Sequence, residues 1–329
     1  MGSSAQVTVG IPTIGREYLR DAIESLLAQS FTDWHGIISD NSNSPKVRTL
    51  VESYGDKRLE YVGHPQNLGA GGNFNYIFDA ATSEYCTILH DDDRYYPDYL
   101  QRMLEGMREH SQARWGFCNA WYCHVETGSV RPWIATSQTR LFPKDGALFS
   151  RLATQDFICC PTVMFHRDVY TQYRFTYDLS IVIDWELWLR LAHERDALFV
   201  DEPLLYYRQW PGNHTSECTK SGAMLFDHLV LFRWLLGLDI SEEVRGKVMR
   251  ERAKQVRLLC RNLLLQRCAV NPSYLSAFDQ DNGIYPWFVK LAYRFPVLRP
   301  SFGRWAERYE ARKAQRRMND SGPLYKSLV

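Results

Sequence analysis

The sequence has little of what would place the protein in a specialised class. Charge of one sign is not in excess, because 39 Lys and Arg stand against 38 Asp and Glu, giving a formal net charge of +1. Such a balance excludes an acidic tail protein and a basic nucleic-acid coat. None of the eight cysteines forms a C-x-x-C pair, and the adjacent Cys159 and Cys160 do not suggest a zinc or disulfide framework. We therefore expect reduced, mostly buried cysteines.

Long hydrophobic runs are also missing. The most apolar stretch, residues 225–238, is interrupted by Asp227, His228 and Arg233, and it is shorter than the ~20 residues that span a bilayer. We therefore expect no transmembrane helix. The first residues have neither the basic nor the apolar region of a signal peptide, which predicts a cytoplasmic protein.

The chain does have ample material for a packed core, with 45% hydrophobic and 14% aromatic residues in a length of 329. Short β-rich runs alternate with helical patterns in its first hundred residues, and these runs cover 6–11, 34–39, 59–62 and 85–89. This alternation predicts an α/β fold with a mostly parallel sheet flanked by helices. In such sheets ligands bind at the carboxyl ends of the strands, where Thr13, Asp40 and the run Asp91–Asp93 fall.

The pattern changes near residue 220. Residues 225–238, 242–268 and 286–317 have helical character, and Ser241 ahead of two glutamates is a typical helix N-cap. We therefore predict an α/β domain at residues 1–220 and a helical C-terminal region at 221–329.

Three consecutive carboxylates, Asp91, Asp92 and Asp93, follow the fourth predicted strand. Like charges this close raise one another's pKa, so a cation or a set of donors is expected among them. Oxygen ligands suit Mg²⁺ or Mn²⁺, and a metal with open coordination positions commonly binds a diphosphate. In isolation, such a run would favour a solvated acidic turn instead.

The acidic run belongs to a series of five motifs that occur in order. They are Val9–Thr13 (VGIPT), Ala22–Phe31 (AIESLLAQSF), Ser39–Ser42 (SDNS), Asn67–Gly69 (NLG) and Ile88–Asp93 (ILHDDD), the last followed by Pro97. Together they resemble the nucleotide-sugar-dependent glycosyltransferases of family 2, which have the GT-A fold, and the resemblance covers residues 6 to about 215. It implies that residues 1–220 form a Rossmann-like catalytic domain.

The resemblance also implies an activity. Family members transfer a sugar, with inversion, from a nucleotide-diphosphate donor. For this chain we expect a UDP- or dTDP-sugar as donor and a hydroxyl of a glycan or lipid-linked acceptor. Synthesis of cell-surface polysaccharide or lipopolysaccharide is the expected setting.

Several donor-side residues follow from the same resemblance. Pro12 and Thr13 would line the nucleotide pocket, and Asp40 would accept a hydrogen bond from the base, as a carboxylate can from a pyrimidine N–H. Asn75 lies where relatives approach the donor, although helix capping explains it about as well. Neither the sugar nor the base can be read from these residues.

The metal ligands follow from the family's Asp-x-Asp motif. Anchored on Pro97, the motif falls on His90, Asp91 and Asp92, so a histidine stands where the first aspartate is commonest. In this register Asp92 is the metal ligand, Asp91 lies nearer the ribose, and Asp93 supports the metal or faces the acceptor. A plain reading of the run would select Asp91 and Asp93 instead.

The segment 207–215 (YRQWPGNHT) resembles the closing motif Tyr-Arg-x-His, with Trp210 in the histidine position. The resemblance makes Arg208 a candidate to offset phosphate charge. His214 follows a Pro-Gly turn and is a candidate third metal ligand, with simple exposure as the alternative.

An inverting transfer also requires a base that takes the proton of the acceptor hydroxyl. The segment 183–191 (IDWELWLRL) resembles the family's acidic motif, so Asp184 takes the position of the catalytic base and Glu186 is the alternative. Asp184 would also cap a helix. Trp185, Trp188 and Trp210 are candidates for a platform under a sugar ring, although Trp188 suits a core position better.

Three other classes of protein fit these residues less well. A sugar-phosphate nucleotidyltransferase requires G-x-G-T-R after the first strand, which Gly10–Ile14 does not match. An aspartyl-phosphate phosphatase requires D-x-D-x-[TV], and Asp91–Tyr95 lacks the Thr or Val. A non-catalytic binding protein of the same fold remains, but Asp40, Asp92 and Asp184 together argue against it.

The last 45 residues are strongly basic. Residues 285–329 carry ten basic and three acidic side chains, a net charge of +7, which leaves −6 for the rest of the chain. Because aromatic residues are interleaved, we expect this segment to associate with the anionic inner face of the cell membrane. A helix packed on the catalytic domain or on a second subunit of a homo-oligomer is the alternative. No nucleic-acid-binding motif is found, so no nucleic-acid partner is expected.

Overall fold

The computed structural model describes residues 5–135, 138–213, 215, 218 and 223–264, together with Trp287, Val289, Arg294, Ser301, Arg304 and Arg308. The chain divides into two compact units, Met1–Ser216 and Glu217–Val329. Assignment of a catalytic domain to residues 1–220 and of a helical extension to 221–329 stays a prediction.

The first unit contains a sheet of ten strands among the described residues. The strands are β1 (Val7–Thr13), β2 (Trp34–Asp40), β3 (Leu59–Gly63), β4 (Tyr85–Ile88), β5 (Arg94–Tyr95), β6 (Trp115–His124), β7 (Val130–Pro132), β8 (Arg140–Phe142), β9 (Val163–His166) and β10 (Ala197–Gln209). Their order is β3-β2-β1-β4-β9-β6-β10-β5, with β7 beside β6 and β8 beside β10.

The sheet has a parallel half and a mixed half. Strands β1 to β4 are mutually parallel, whereas β9 lies antiparallel to both β4 and β6. Strands β6 and β10 are parallel to each other, and the short β5, β7 and β8 are antiparallel to their neighbours. The predicted α/β fold is confirmed, and its first four strands lie where the sequence pattern places them.

Helices connect and flank these strands. They are α1 (Leu19–Leu27), α2 (Pro45–Ser53), α3 (Gly69–Ala80), α4 (Tyr99–Glu109), α5 (Ala147–Leu152), α6 (Arg167–Tyr170) and α7 (Ile183–Glu194). Helix α1 buries Leu19, Ala22, Ile23 and Leu26, the helical spacing that faces a core. Helix α3 packs so closely on β1 that a Cβ added at Gly10 would lie 2.3 Å from Ile77 Cγ2. Only glycine at position 10 allows this close contact between α3 and β1 without displacing Ile77.

The second unit contains α8 (Ala223–Leu236) and α9 (Glu242–Leu264), which pack against each other. The Ser241 hydroxyl accepts a hydrogen bond from the Val244 N–H at 3.3 Å, which confirms the predicted N-terminal cap. The helix predicted over 286–317 falls largely outside the described residues. Within the described ranges, no helix combines the length and apolar character needed to cross a membrane.

The described cysteines are buried, and none of them forms a disulfide within the described part of the chain, which agrees with the expectation of reduced thiols. They are Cys86, Cys118, Cys123, Cys159, Cys160, Cys218 and Cys260. Cys268 lies outside the described residues.

Candidate functional site

The ends of the parallel strands form the base of the site. Thr13 and Asp40 are register partners at the ends of β1 and β2, and the acidic run follows β4. The Thr13 hydroxyl donates to Asp91 Oδ2 at 2.6 Å and accepts from the Gly15 N–H at 2.8 Å. The sheet therefore brings Thr13 and the acidic run together at its carboxyl edge, as the strand pattern predicts.

Asp91 faces the β1 side of this edge. Arg16 Nη1 lies 3.5 Å from Asp91 Oδ1 and 3.7 Å from Asp92 Oδ2. Burial raises the pKa of Asp91 to about 6, an effect that the Thr13 hydrogen bond and the Arg16 charge oppose. Asp91 is thus held by a hydroxyl and a guanidinium, and its place near the ribose stays a prediction.

Asp40 is fully buried and organises the loop after β2. Its Oδ1 accepts from the Ser42 N–H at 2.8 Å and the Ser42 hydroxyl at 2.6 Å, and its Oδ2 accepts from the Ser44 N–H at 2.8 Å and the Tyr61 hydroxyl at 3.0 Å. A carboxylate has about four lone-pair sites, so these donors fill it. Recognition of the base by Asp40 stays a prediction. It requires that the Ser42 or the Tyr61 hydroxyl first release its hydrogen bond to Asp40.

Pro12 and Asn75 are both buried beneath this edge. Pro12 lies within β1 beside Ser39 of β2. Asn75 lies inside α3, so the alternative of helix capping is wrong. Its side-chain amide donates to the Phe175 carbonyl at 2.9 Å and accepts from the Phe175 N–H at 2.8 Å. The predicted nucleotide contacts of both residues stay predictions.

A second side of the acidic run forms a cluster with metal-ligand character. One ligand atom each of His90, Asp92 and Asp93 lies within 4.8 Å of the others. Asp93 Oδ1 accepts from the Arg208 N–H at 2.7 Å, whereas its buried Oδ2 has no hydrogen-bond partner among the described residues. Burial and then the charge of Asp92 raise the pKa of Asp93 well above its usual range. A carboxylate oxygen buried in this way fits a cation.

The structure thus brings together two of the three predicted metal ligands, Asp92 and Asp93. His214 lies outside the described residues. His90 joins the cluster although the sequence interpretation treated it only as a departure from Asp-x-Asp. The position of His90 in the Asp-x-Asp motif could have indicated a metal ligand, because an imidazole is itself a common metal ligand.

The end of β10 covers the cluster. The Trp210 indole N–H donates to Asp92 Oδ2 at 2.9 Å, and the ring meets Tyr18 edge-on at 5.3 Å. A Cβ added at Gly212 would lie 2.2 Å from Trp210 Cζ3, so the loop folds directly over the indole. Trp210 is therefore a neighbour of the proposed metal ligand.

Arg208 is buried beside the same cluster. Its Nη2 donates to Asp21 Oδ2 at 2.8 Å, and its guanidinium lies 3.7 Å from the centre of the Tyr18 ring. Its Nη1 is buried without a hydrogen-bond partner in the described part of the chain. This N–H group could donate a hydrogen bond to an anion. The predicted role of Arg208 in offsetting phosphate charge stays a prediction.

Asp184 is the second residue of α7 and is partly buried. The helix is capped by Val182, so the predicted capping role of Asp184 is wrong. Its Oδ1 accepts from the Trp185 N–H at 2.8 Å. Burial raises the pKa of Asp184 to about 6, and this backbone hydrogen bond opposes the rise. A carboxylate with such a pKa suits a general base near neutral pH.

A second carboxylate accompanies Asp184. Burial and then the charge of Asp184 raise the pKa of Asp156 well above its usual range, so the two groups titrate together. The sequence interpretation missed Asp156, which lies in no motif. The alternative base, Glu186, pairs with Arg190 through contacts of 2.7 and 2.9 Å.

The core position favoured for Trp188 is confirmed, whereas a sugar-platform role for Trp185 is wrong. Trp188 is fully buried, and its ring stacks on Trp115 at 5.9 Å and on Phe165 at 5.7 Å. Trp185 is also buried, and its indole N–H donates to the Leu152 carbonyl at 2.8 Å. Helical spacing directs both rings into the core.

The sequence of this chain is similar to those of curated glycosyltransferases. A putative teichuronic acid biosynthesis glycosyltransferase, TuaG of Bacillus subtilis, is 33% identical over 100 residues, 30% of this chain and 40% of its own. The GalNAc(5)-diNAcBac-PP-undecaprenol beta-1,3-glucosyltransferase of Campylobacter jejuni is 30% identical over 117 residues, 34% of this chain and 38% of its own. The chain spans less than two thirds of the length of such curated relatives.

Solved structures share the fold. TarS 1-349 of S. aureus in complex with UDP-GlcNAc has a TM-score of 0.61 at 15% identity, covering 88% of this chain and 91% of its own. The mannosyltransferase PcManGT of Pyrobaculum calidifontis in complex with GDP-Man and Mn2+ has a TM-score of 0.52 at 12% identity, covering 96% and 88%. These likenesses confirm the expected GT-A fold.

A family model agrees with the motifs and with the site. The model described as Glycosyl transferase family 2 matches residues 8–174, just over half of the chain, and the match includes β1, the loop after β2 and the acidic run. The five motifs, the fold and this match together show that the chain belongs to glycosyl transferase family 2.

Proposed function

We propose that the protein is an inverting, metal-dependent glycosyltransferase that moves a sugar from a UDP- or dTDP-sugar to a hydroxyl of a glycan or lipid-linked acceptor. The observation that carries this proposal is the cluster of His90, Asp92 and Asp93 at the carboxyl edge of the sheet, in which the buried Asp93 Oδ2 has no hydrogen-bond partner among the described residues. Asp184 supplies a carboxylate with a pKa of about 6 for the acceptor.

His90, Asp92 and Asp93 would hold a divalent cation, which when bound neutralises charge on the departing diphosphate. An imidazole beside two carboxylates suits Mn²⁺ better than Mg²⁺, which prefers oxygen ligands alone. The Mn2+ in the mannosyltransferase of similar fold supports this choice. Asp91, fixed by Thr13 and Arg16, orients the donor beside the cluster.

Asp184 takes the proton of the acceptor hydroxyl as that oxygen attacks the anomeric carbon. Its raised pKa makes it a stronger base than an ordinary aspartate while it is still ionised at pH 7. The charge of Asp184 contributes to the raised pKa of Asp156, so the two carboxyl groups interact electrostatically.

Names of similar proteins support the substrate classes. TarS of similar fold has been solved with UDP and with UDP-GlcNAc. The Campylobacter relative is a transferase with an undecaprenol-linked sugar in its name, and TuaG is assigned to teichuronic acid biosynthesis. We therefore favour a UDP-sugar and a cell-surface polysaccharide or its lipid-linked precursor.

The basic segment 285–329 is proposed to bring the enzyme to an anionic membrane surface where such an acceptor resides. Its charge of +7 supports the proposal. The full-length chain should bind vesicles that contain phosphatidylglycerol at low salt and dissociate as salt rises. A chain ending at residue 284 should not bind. Equal binding of both chains, or indifference to salt, would contradict this role.

The activity is tested by incubating the protein with UDP-, dTDP- and GDP-sugars and Mn²⁺, and measuring release of the nucleoside diphosphate. We expect slow hydrolysis of a UDP- or dTDP-sugar that Asp93→Asn abolishes. Asp33→Asn is the matched control, because Asp33 is exposed on the loop before β2. If a donor binds but none is hydrolysed, the transferase proposal fails and a non-catalytic binding protein becomes the better interpretation. If no donor binds, both interpretations fail.

A further inference from the structure

Three partly buried aromatic side chains form a cluster on one face of the mixed half of the sheet. Tyr122 of β6 and Tyr207 of β10 are register partners on neighbouring strands, so their side chains share a face, with ring centres 6.2 Å apart. Trp133, just after β7, stacks on Tyr122 at 5.7 Å with an angle of 21° and meets Tyr207 edge-on at 5.3 Å. We name these three residues the aromatic platform.

The platform is held rigidly from beneath. The Trp133 N–H donates to the Ala120 carbonyl at 2.8 Å, and its indole N–H donates to the Phe157 carbonyl at 2.7 Å. The next residue, Ile134, is clamped by buried Asn119, whose side chain accepts from its N–H at 3.0 Å and donates to its carbonyl at 2.8 Å. A surface fixed in this way loses little entropy when a ligand binds.

One end of the platform reaches the cluster of His90, Asp92 and Asp93. Tyr207 immediately precedes Arg208, whose N–H bonds to Asp93. Burial raises the pKa of the Tyr207 hydroxyl well above its usual range, and electrostatic interactions with Cys159, Asp93, Asp92 and Asp184 add to the rise. This end therefore lies within electrostatic range of both the candidate metal ligands and the candidate base.

The other end reaches the base and the solvent. The indole bond to Phe157 joins Trp133 to the residue next to Asp156, the partner of Asp184. At the outer rim, the exposed Arg131 places its guanidinium 4.4 Å from the centre of the Tyr122 ring. The platform thus runs from buried acids to a polar, accessible rim.

A pyranose ring matches this surface in its chemistry. One face of the ring is lined by C–H groups and packs on aromatic rings, while its hydroxyls require polar partners at the edge. We propose that the aromatic platform of Tyr122, Trp133 and Tyr207 binds the acceptor sugar, with its C–H face on the rings and its reacting hydroxyl toward Asp184. This inference rests on the proposed function, because it specifies the acceptor side of the same site.

The test uses the full chain with UDP and Mn²⁺, and methyl glycosides of glucose, galactose, N-acetylglucosamine and rhamnose as probes in saturation-transfer NMR. We expect at least one glycoside to bind, and Trp133→Ala to weaken it about tenfold because an apolar contact of one ring face is lost. Trp133→Phe, which keeps an aromatic face, should restore most of the affinity.

Trp121→Ala is the matched control. Trp121 precedes Tyr122 on the same strand and therefore faces the other side of the sheet. We expect the Trp121→Ala variant to bind the glycoside with the same affinity as the unchanged protein. Urea unfolding of Trp133→Ala, compared with that of Trp133→Phe, separates loss of acceptor binding from loss of folding.

Three results would overturn the inference: no glycoside binds the unchanged protein, Trp133→Ala binds as well as the unchanged protein, or Trp121→Ala weakens binding equally. Failure of the proposed function is a different result. Absence of donor hydrolysis from the unchanged protein would refute the transferase while glycoside binding still reported on the platform.

Discussion

The pH dependence of transfer should report on Asp184. If Asp184 is the base, only its ionised form accepts the proton of the acceptor hydroxyl. Burial raises its pKa to about 6, against the hydrogen bond from the Trp185 N–H. The ionised fraction is then about 0.9 at pH 7 and about 0.1 at pH 5, so kcat should fall about tenfold over that interval. An aspartate with an unperturbed pKa would lose less than about a tenth of its activity.

Asp156 allows a sharper version of the same prediction. Because the charge of Asp184 contributes to the raised pKa of Asp156, the acidic limb of the profile belongs to the pair. Burial and the charge of Asp184 keep the proton on Asp156 while Asp184 ionises, so Asp156→Asn exchanges one neutral group for another and the limb should stay in place. A limb that moves to higher pH would mean that Asp156 stabilises the ionised base.

The assay measures kcat between pH 5 and 8 at saturating donor and Mn²⁺, with donor affinity measured separately. The separation matters because Asp91, on the donor side, also has a pKa raised to about 6 by burial. Asp184→Asn should abolish transfer and leave UDP affinity unchanged. Glu186→Gln is the control, since Glu186 pairs with Arg190. A flat profile, or near-normal turnover by Asp184→Asn, would refute the reasoning.

Three further substitutions probe the packing around the site and the second unit. Trp210→Phe removes the hydrogen bond from the indole N–H to Asp92, a bond worth about 1 kcal/mol. Calorimetry should therefore show that Mn²⁺ binds this variant about fivefold more tightly. Weaker binding would mean that the indole holds Asp92 in position for the cation. Gly10→Ala forces a Cβ to 2.3 Å from Ile77 Cγ2, so the free energy of unfolding in urea should fall by about 1–3 kcal/mol. Gly246→Ala, inside α9, should raise the free energy of unfolding of the second unit by about 0.5–1 kcal/mol, because the nearest atom to the new Cβ is the flexible Arg250 Nη1 at 3.4 Å. A lower free energy of unfolding would indicate tighter packing around residue 246.

The parallel half of the fold could be predicted from the sequence because its signals are local. Each of the first four strands is a short apolar run followed by a loop and a helical pattern, and sequential units of this kind stack in parallel. The mixed half could not be predicted in the same way. Strand β9 inserts antiparallel between β4 and β6, and such pairing depends on contacts between segments distant in sequence.

The same distinction explains the site. Thr13 and Asp91 could be placed together because both end parallel strands. Asp156 could not be found, since only the folding of its loop against α7 brings it to Asp184. Helical spacing predicted the core position of Trp188 correctly, and Trp185 on the same helix is buried as well. The partly exposed aromatic rings come instead from β6, β10 and the turn after β7.

The two departures from the family motifs become intelligible together. The sequence has His90 where the first aspartate is commonest and Trp210 where the closing motif has histidine. In the structure both side chains lie at Asp92, since His90 belongs to its cluster and the Trp210 indole donates to its carboxylate. A cluster of two carboxylates and one imidazole is therefore present although the closing motif lacks its histidine. The indole cannot coordinate a cation, and its hydrogen bond to Asp92 Oδ2 competes with a cation for that oxygen.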